Sequence, residues 1–146
     1  MVETYFVTDV EADGPIPGPY SMLSLATVAC DAAGRTLGEF SMNLDPLPGA
    51  STHPTVMKFW AQQPEAWAAC HVDTQSAVDG TRAFGQWIRR FPGRLVLAAW
   101  TEGLPHTYIA LDDAREQAAL FCALTLRLRH RLTYGSDTHS TRSGVS

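Results

Sequence analysis

The order of hydrophobic patterns along the chain predicts a single α/β domain, with a mixed β-sheet flanked by helices. Three strand-like segments separated by polar turns come first, which favours an antiparallel meander. Apolar residues at helical spacing follow, then a continuously apolar segment typical of a buried parallel strand, and finally a long helical pattern. The chain has 146 residues, 45% hydrophobic and 18% charged, so it can form a packed core and is not disordered throughout.

The first three strands are predicted from β-branched and aromatic residues bounded by loop-forming residues. They cover Tyr5–Glu11, Met22–Asp31 and Thr36–Leu44. A glycine- and proline-rich loop, Asp13–Pro19, joins the first strand to the second, and Ala33-Gly34 forms the turn to the third. Because short polar turns join them, the three strands are expected to form an antiparallel meander.

The segment after the third strand changes to helical periodicity. Apolar residues at helical spacing predict a helix that begins again at Pro64. These residues are Val56, Phe59, Trp60 and Trp67. A second helix is predicted over about Ser76–Phe91, because Pro92 and Gly93 stop it. The fourth strand is predicted over Arg94–Trp100.

The last predicted element is a long helix from Asp112 to about Leu132. Residues 135–146 are polar and are expected to form a disordered tail, so the domain is placed at 1–134. No stretch approaches the roughly 20 apolar residues that a membrane span needs, and no signal peptide is recognised.

Charge and cysteine content narrow the classes of function. The 15 acidic residues outnumber the 11 basic ones, giving a net charge of −4, so the chain lacks the basic surface of a protein that coats nucleic acid. Nucleic acid remains a substrate if metal ions supply positive charge. The three cysteines are widely spaced, which argues against a disulfide framework or a structural zinc site and suits a reducing cytoplasm.

Two groups of acidic residues are candidates for chemistry. Asp9 and Glu11 are two positions apart on the first strand, so both side chains lie on one face. Two neighbouring carboxylates are tolerated on a buried strand if a divalent cation binds both. Alternatively, the strand ends at Thr8 and water solvates both carboxylates at its tip. Asp112 and Asp113 begin the last helix, where acidic residues also cap free N–H groups.

These segments together resemble the DEDD superfamily of 3′-5′ exonucleases, which has a ribonuclease-H-like fold. The segment VTDVEADGP resembles the first motif of that family, and HTYIALDDAREQ resembles the last motif, H-x-A-x-x-D. The intervening segments FWAQQPEAW and FGQWIRRFPGRLVLAA also resemble the bacterial exoribonuclease-like branch. The resemblance covers roughly residues 4–100 and 104–124.

The resemblance implies a centre for two Mg²⁺ or Mn²⁺ ions that hydrolyses phosphodiesters in RNA or short single-stranded nucleic acid. Asp9 would bridge both ions, and Glu11 and Asp113 would complete the first ion's ligands. Hard cations prefer such oxygen ligands. The family's sheet has strand order 3-2-1-4-5.

The chain departs from the family in two ways. Trp100 is followed directly by TEGLPHTY, so the pattern lacks another metal-site aspartate, its helix and the fifth strand. In the register that aligns Asp113, the histidine position holds Tyr108, and His106 lies two residues upstream. A related subgroup uses Tyr-x-x-x-Asp, which Tyr108 and Asp112 would satisfy; Asp113 is favoured over Asp112.

Three functional hypotheses follow from these departures. The chain is a weakened 3′-5′ exonuclease, an inactive relative that binds metal or nucleic acid, or an internal-deletion product without function. Tyr108 and His106 are the candidates for handling the water, although a tyrosine is a poor base at neutral pH. Without a fifth strand, residues 94–100 become an exposed edge through which two copies are expected to pair.

Overall fold

A computed structural model of the chain describes residues 1–98 and 108–121 and shows an open four-stranded sheet between helices. The strands, in the order β3-β2-β1-β4, are β1 (Glu3–Ala12), β2 (Met22–Asp31), β3 (Thr36–Asn43) and β4 (Arg94–Ala98). β2 is antiparallel to β1 and β3, and β4 is parallel to β1. The predicted α/β class and mixed sheet are confirmed, and the arrangement is consistent with a ribonuclease-H-like fold.

The helices cover both faces of the sheet. Between β3 and β4 lie α1 (Pro54–Trp60), α2 (Pro64–Ala69) and α3 (Ala77–Ile88), and residues 110–121 form a further helix, α4. α4 packs on one face of the sheet through Ala110, Ala114 and Ala118. α3 packs on the other face through Trp87. Among the described residues, no helix has the length and apolar character needed to cross a membrane.

Local hydrogen bonds explain where α3 begins and ends and where α4 begins. α3 begins at Ala77, close to the predicted start at Ser76, and the Ser76 side chain caps it by accepting the Asp79 N–H at 3.1 Å. α3 ends at Ile88 rather than Phe91, because the N–H groups of Arg90 and Phe91 form turn-type hydrogen bonds to the carbonyl oxygens of Trp87 and Ile88. α4 begins at 110 rather than 112, because the carbonyl oxygen of Ile109 accepts the first helical N–H groups.

Strand alternation sets which side chains face α4. On β1, Tyr5 and Val7 are buried in the core under α4, and Asp9 and Glu11 continue the same face toward the end of the strand. The opposite side chain Phe6 packs against Trp87. The carboxylates therefore lie at the end of a central, hydrophobic strand.

Hydrogen bonds tie the end of β1 to the start of α1. Asp13 is 2% exposed, and its Oδ1 accepts the Ser21 N–H at 2.6 Å. The Asp13 carbonyl oxygen accepts the His53 N–H at 2.9 Å, and Trp60 Nε1 donates to the Ala12 carbonyl oxygen at 3.0 Å. The strand end that carries Glu11 is thus anchored through the two residues that follow it, Ala12 and Asp13.

Several predictions fall on residues 99–107 and 122–146, which lie outside the described residues. They are the end of the fourth strand at Trp100, the region of His106, the helix beyond residue 121 and the tail from residue 135. Within the described residues the sheet has four strands and no fifth.

Candidate metal centre

Three carboxylates from two elements converge at the end of β1. One oxygen from each of Asp9, Glu11 and Asp113 lies within 4.8 Å of the other two. Asp113 is 2% exposed, whereas Asp9 and Glu11 are partly buried. We call these three residues the carboxylate cluster. The candidates from the first and last sequence motifs are therefore brought together.

The position of Asp113 follows from how α4 begins. Its Oδ2 accepts the Tyr108 N–H at 3.1 Å, so the carboxylate also holds the backbone two residues before the helix. Ala110 and Ala114 pack into the core on the same side, which turns Asp113 toward β1. The Asp113 carboxylate thus bonds to the segment that leads into α4 and also belongs to the carboxylate cluster.

Burial and neighbouring charges both disfavour the ionised form of Glu11. The pKa of Glu11 is raised to about 8, mainly because burial disfavours its charged form and further because Asp9 and Asp113 lie nearby. Burial also raises the pKa of the Cys70 thiol to about 11, with a smaller contribution from the charge of Glu11. Cys70 therefore stays a neutral thiol beside the cluster.

A divalent cation fits this donor set. Three carboxylate oxygens at mutual distances below 4.8 Å are hard ligands that Mg²⁺ or Mn²⁺ prefers. A bound cation would also offset the repulsion that raises the pKa of Glu11. Within the described residues, this is the single group of three or more acidic, histidine or cysteine side chains with suitable spacing.

Asp112 points away from the cluster. Its side chain is 47% exposed and its Oδ1 accepts from Arg115 Nη1 at 3.3 Å. Arg115 also forms a two-bond ion pair with Glu39 at 2.9 and 2.6 Å. Adjacent residues on a helix are about 100° apart, so Asp112 and Asp113 cannot both face β1. The candidate metal ligand Asp112, and with it the Tyr-x-x-x-Asp register, is not the one that reaches Asp9 and Glu11.

Tyr108 lies next to the cluster and packs among aromatic side chains. Its ring centroid is 4.8 Å from that of Phe59, edge to face, and it borders the hydrophobic group around Trp60. Its backbone is in the left-handed region, with φ of 58°. Tyr108 is thus held beside the carboxylate cluster by the hydrogen bond of its backbone N–H and by the packing of its ring. His106 lies outside the described residues.

Sequence reasoning missed Gln117. This side chain is 2% exposed, and its Nε2 donates to Asp9 Oδ1 at 2.8 Å. Gln117 lies four residues after Asp113 on the same helix, which places both side chains on one face. That spacing was the available signal, although it becomes meaningful only once Asp113 is known to face β1.

Comparisons with known proteins assign no family to the chain. No family model matches it, and no curated protein matches it. What the chain does is therefore inferred from the geometry of the carboxylate cluster together with the resemblance of its motifs.

Proposed function

We propose that the chain binds a divalent cation, Mg²⁺ or Mn²⁺, and hydrolyses phosphodiesters of single-stranded nucleic acid as a weakened 3′-5′ exonuclease, with RNA favoured over DNA. The carboxylate cluster, with oxygens of Asp9, Glu11 and Asp113 within 4.8 Å of one another, is the observation that carries this proposal. The resemblance to DEDD exonucleases supports the choice of reaction and substrate.

The charges explain why the reaction needs a cation. Three carboxylates beside a phosphodiester repel it, and the chain as a whole is acidic, with a net charge of −4. A bound Mg²⁺ or Mn²⁺ supplies positive charge to the phosphate oxygens and lowers the pKa of a water molecule. Asp9, Glu11 and Asp113 hold the ion, and the buried position of Asp113 limits movement of the ligands.

Two observations support a weak rather than a fast reaction. Tyr108 occupies the position of the family's histidine, and a phenol accepts a proton poorly at neutral pH, so Tyr108 orients a water molecule at most. The described residues provide one cluster of three carboxylates, and Gln117 already occupies Asp9 Oδ1 at 2.8 Å. These features favour one tightly held ion over the two-ion arrangement that the resemblance implies.

A second candidate function is cation or nucleic-acid binding without turnover. The packing of Tyr108 against Phe59 favours this function, because an aromatic ring held beside the carboxylate cluster can contact a nucleotide without transferring a proton. A deletion product without function remains a third hypothesis. A cytoplasmic location agrees with Cys30 and Cys70, which are both buried and not disulfide-bonded.

The test combines cation binding and hydrolysis in matched variants. The full chain is titrated with Mn²⁺ and then incubated with 5′-labelled single-stranded RNA or DNA, with and without Mn²⁺. Asp9→Asn is expected to abolish both Mn²⁺ binding and shortening of the RNA from its 3′ end. Asp112→Asn makes the same change at an exposed neighbour of the cluster and is expected to retain both.

The outcomes separate the hypotheses. Mn²⁺ binding without hydrolysis in the wild-type chain would support the binding function instead of the enzyme. Absence of Mn²⁺ binding in the wild-type chain, or equal losses in Asp9→Asn and Asp112→Asn, would overturn the proposed metal centre.

A further inference from the structure

Gln117 is an unusual residue for its place on α4. The buried side chains with which α4 packs on the sheet include Ala110, Ala114 and Ala118, all small and apolar, yet Gln117 is also only 2% exposed. Burying an amide costs free energy unless its donor and acceptor are both satisfied. The burial of Gln117 therefore requires a specific reason.

One half of the amide is satisfied by the carboxylate cluster. Nε2 of Gln117 donates to Asp9 Oδ1 at 2.8 Å. An ionised carboxylate only accepts hydrogen bonds, so the NH₂ end of the amide must be the end that faces Asp9. This hydrogen bond restrains rotation of the Asp9 carboxylate.

The other half is a buried acceptor. Gln117 Oε1 has no hydrogen-bond partner among the described residues; His53 Nδ1, before α1, is the other such buried side-chain atom there. An unsatisfied buried acceptor costs roughly 1–3 kcal/mol, so a native structure that keeps one calls for an explanation. Oε1 shares its amide with Nε2 and therefore lies at the edge of the cluster.

We propose that Gln117 is a positioning residue for a hydrated divalent cation at the carboxylate cluster. Its Nε2 holds the Asp9 carboxylate in a fixed orientation at the cluster, and its Oε1 accepts a hydrogen bond from the water that enters with the ion. Mg²⁺ and Mn²⁺ sites commonly retain water ligands, which are O–H donors. This inference rests on the proposed function, since it takes the cluster to be the cation site.

A purely structural role for Gln117 predicts different behaviour. Methionine has a similar length and no polar atom that needs a partner, so Gln117→Met removes the buried acceptor while filling the same space. If Gln117 acts on the cation, the cation-free variant is as stable as the wild type or more stable, and binds Mn²⁺ more weakly. If Gln117 acts only on the fold, stability falls and Mn²⁺ affinity does not.

The experiment measures Mn²⁺ affinity from the free-ion electron paramagnetic resonance signal, and stability from urea unfolding without metal. Gln117→Met is expected to weaken Mn²⁺ binding by roughly 10–100-fold, as is typical when a partner of a metal ligand is lost. Gln62→Met makes the same change at an exposed glutamine and is expected to bind as the wild type does. If Gln117→Met binds Mn²⁺ as tightly as the wild type, the role of Gln117 is overturned and the proposed metal centre is unaffected. Absence of Mn²⁺ binding in the wild type would overturn both.

A measurement on the wild-type chain covers the case in which Gln117→Met does not fold. The side-chain NH₂ resonances of Gln117 are followed by ¹⁵N–¹H NMR during a Mg²⁺ titration. We expect them to shift with the same dissociation constant as the backbone amides of Asp9 and Glu11. Resonances that stay constant while those backbone amides shift would overturn the role of Gln117.

Discussion

Each residue of the carboxylate cluster is held by a different part of its surroundings. Asp113 accepts the Tyr108 N–H, and Asp9 accepts from Gln117 Nε2. Glu11 is the residue on which burial and the charges of its two neighbours act together, and its pKa is raised to about 8. The cation-free cluster therefore carries an electrostatic cost that depends on pH.

We predict that the cation-free protein becomes less stable as the pH rises from about 4.5 to 8. In this window the unfolded chain has released the Glu11 proton while the folded protein retains it, so folding is favoured at the low end. The loss is roughly 2 kcal/mol, below the full value for the shift because Glu11 is partly exposed and screened. Urea unfolding from pH 5 to 9, without metal, measures it.

Glu11→Gln provides the control for this pH dependence. The variant cannot ionise at position 11, so its stability curve should be flatter than the wild type across the same window. Saturating Mg²⁺ should flatten the wild-type curve as well, because the ion stabilises the charged form of Glu11. Parallel curves for the two proteins would show that Glu11 keeps an ordinary pKa.

At the scale of elements, the position of the carboxylate cluster depends on the hydrogen bonds that connect the end of β1 to the residue before α1. Asp13 links the two ends of the glycine- and proline-rich loop and bonds to the first residue before α1. Gly14 supports this arrangement, because a Cβ at that position would lie 2.1 Å from Tyr20 Cγ. The conformation of the loop therefore requires both the aspartate and the glycine.

We predict that Asp13→Ala lowers the free energy of unfolding by about 1–3 kcal/mol, because the buried Ser21 N–H loses its acceptor. Asp13→Asn keeps an oxygen in the same place and should cost clearly less. Asp13→Ala should also bind Mn²⁺ more weakly than Asp13→Asn, because the loop anchors the end of β1 that carries Glu11. Urea unfolding of the two variants decides the point, and equal destabilisation would show that the hydrogen bond does not matter.

At the scale of the whole molecule, β4 is an edge of the sheet within the described residues. It pairs with β1 on one side, and its side chains Leu95 and Leu97 are 42% and 71% exposed. Arg94 and Glu3 form an ion pair at 2.8 Å at the start of the strand. Val96 instead packs against the core under α4, so a charge at 96 would disturb the fold as well as the edge.

We predict that the chain associates through this edge, as a dimer or larger species, at tens of micromolar. Leu97→Lys places a charge on the exposed face of β4 and should shift the protein toward a monomer in light scattering. Val78→Lys introduces the same charge at an exposed apolar position on α3, 66% exposed, and should leave association unchanged. A wild-type chain that is monomeric at this concentration contradicts the prediction.

Local patterns in the sequence determined most of the sheet and half of the candidate site. The alternation of apolar residues predicted β1, β2 and β3 to within a residue or two, and it placed Asp9 and Glu11 on one face, because strand periodicity is a property of neighbouring residues. The continuous apolar character of the fourth strand predicted a buried parallel strand. β4 is parallel to β1, but Leu95 and Leu97 on it are exposed.

Only the tertiary structure decided what faces those two carboxylates. The motif register favoured Asp113, but as helix-starting residues Asp112 and Asp113 are equivalent. The packing of Ala110 and Ala114 on the sheet turns Asp113 inward and leaves Asp112 with Arg115. The same packing buries Gln117 against Asp9. A helix pattern gives the relative direction of its side chains, but the rotation of the helix on the sheet is set by contacts between residues about 100 positions apart in sequence.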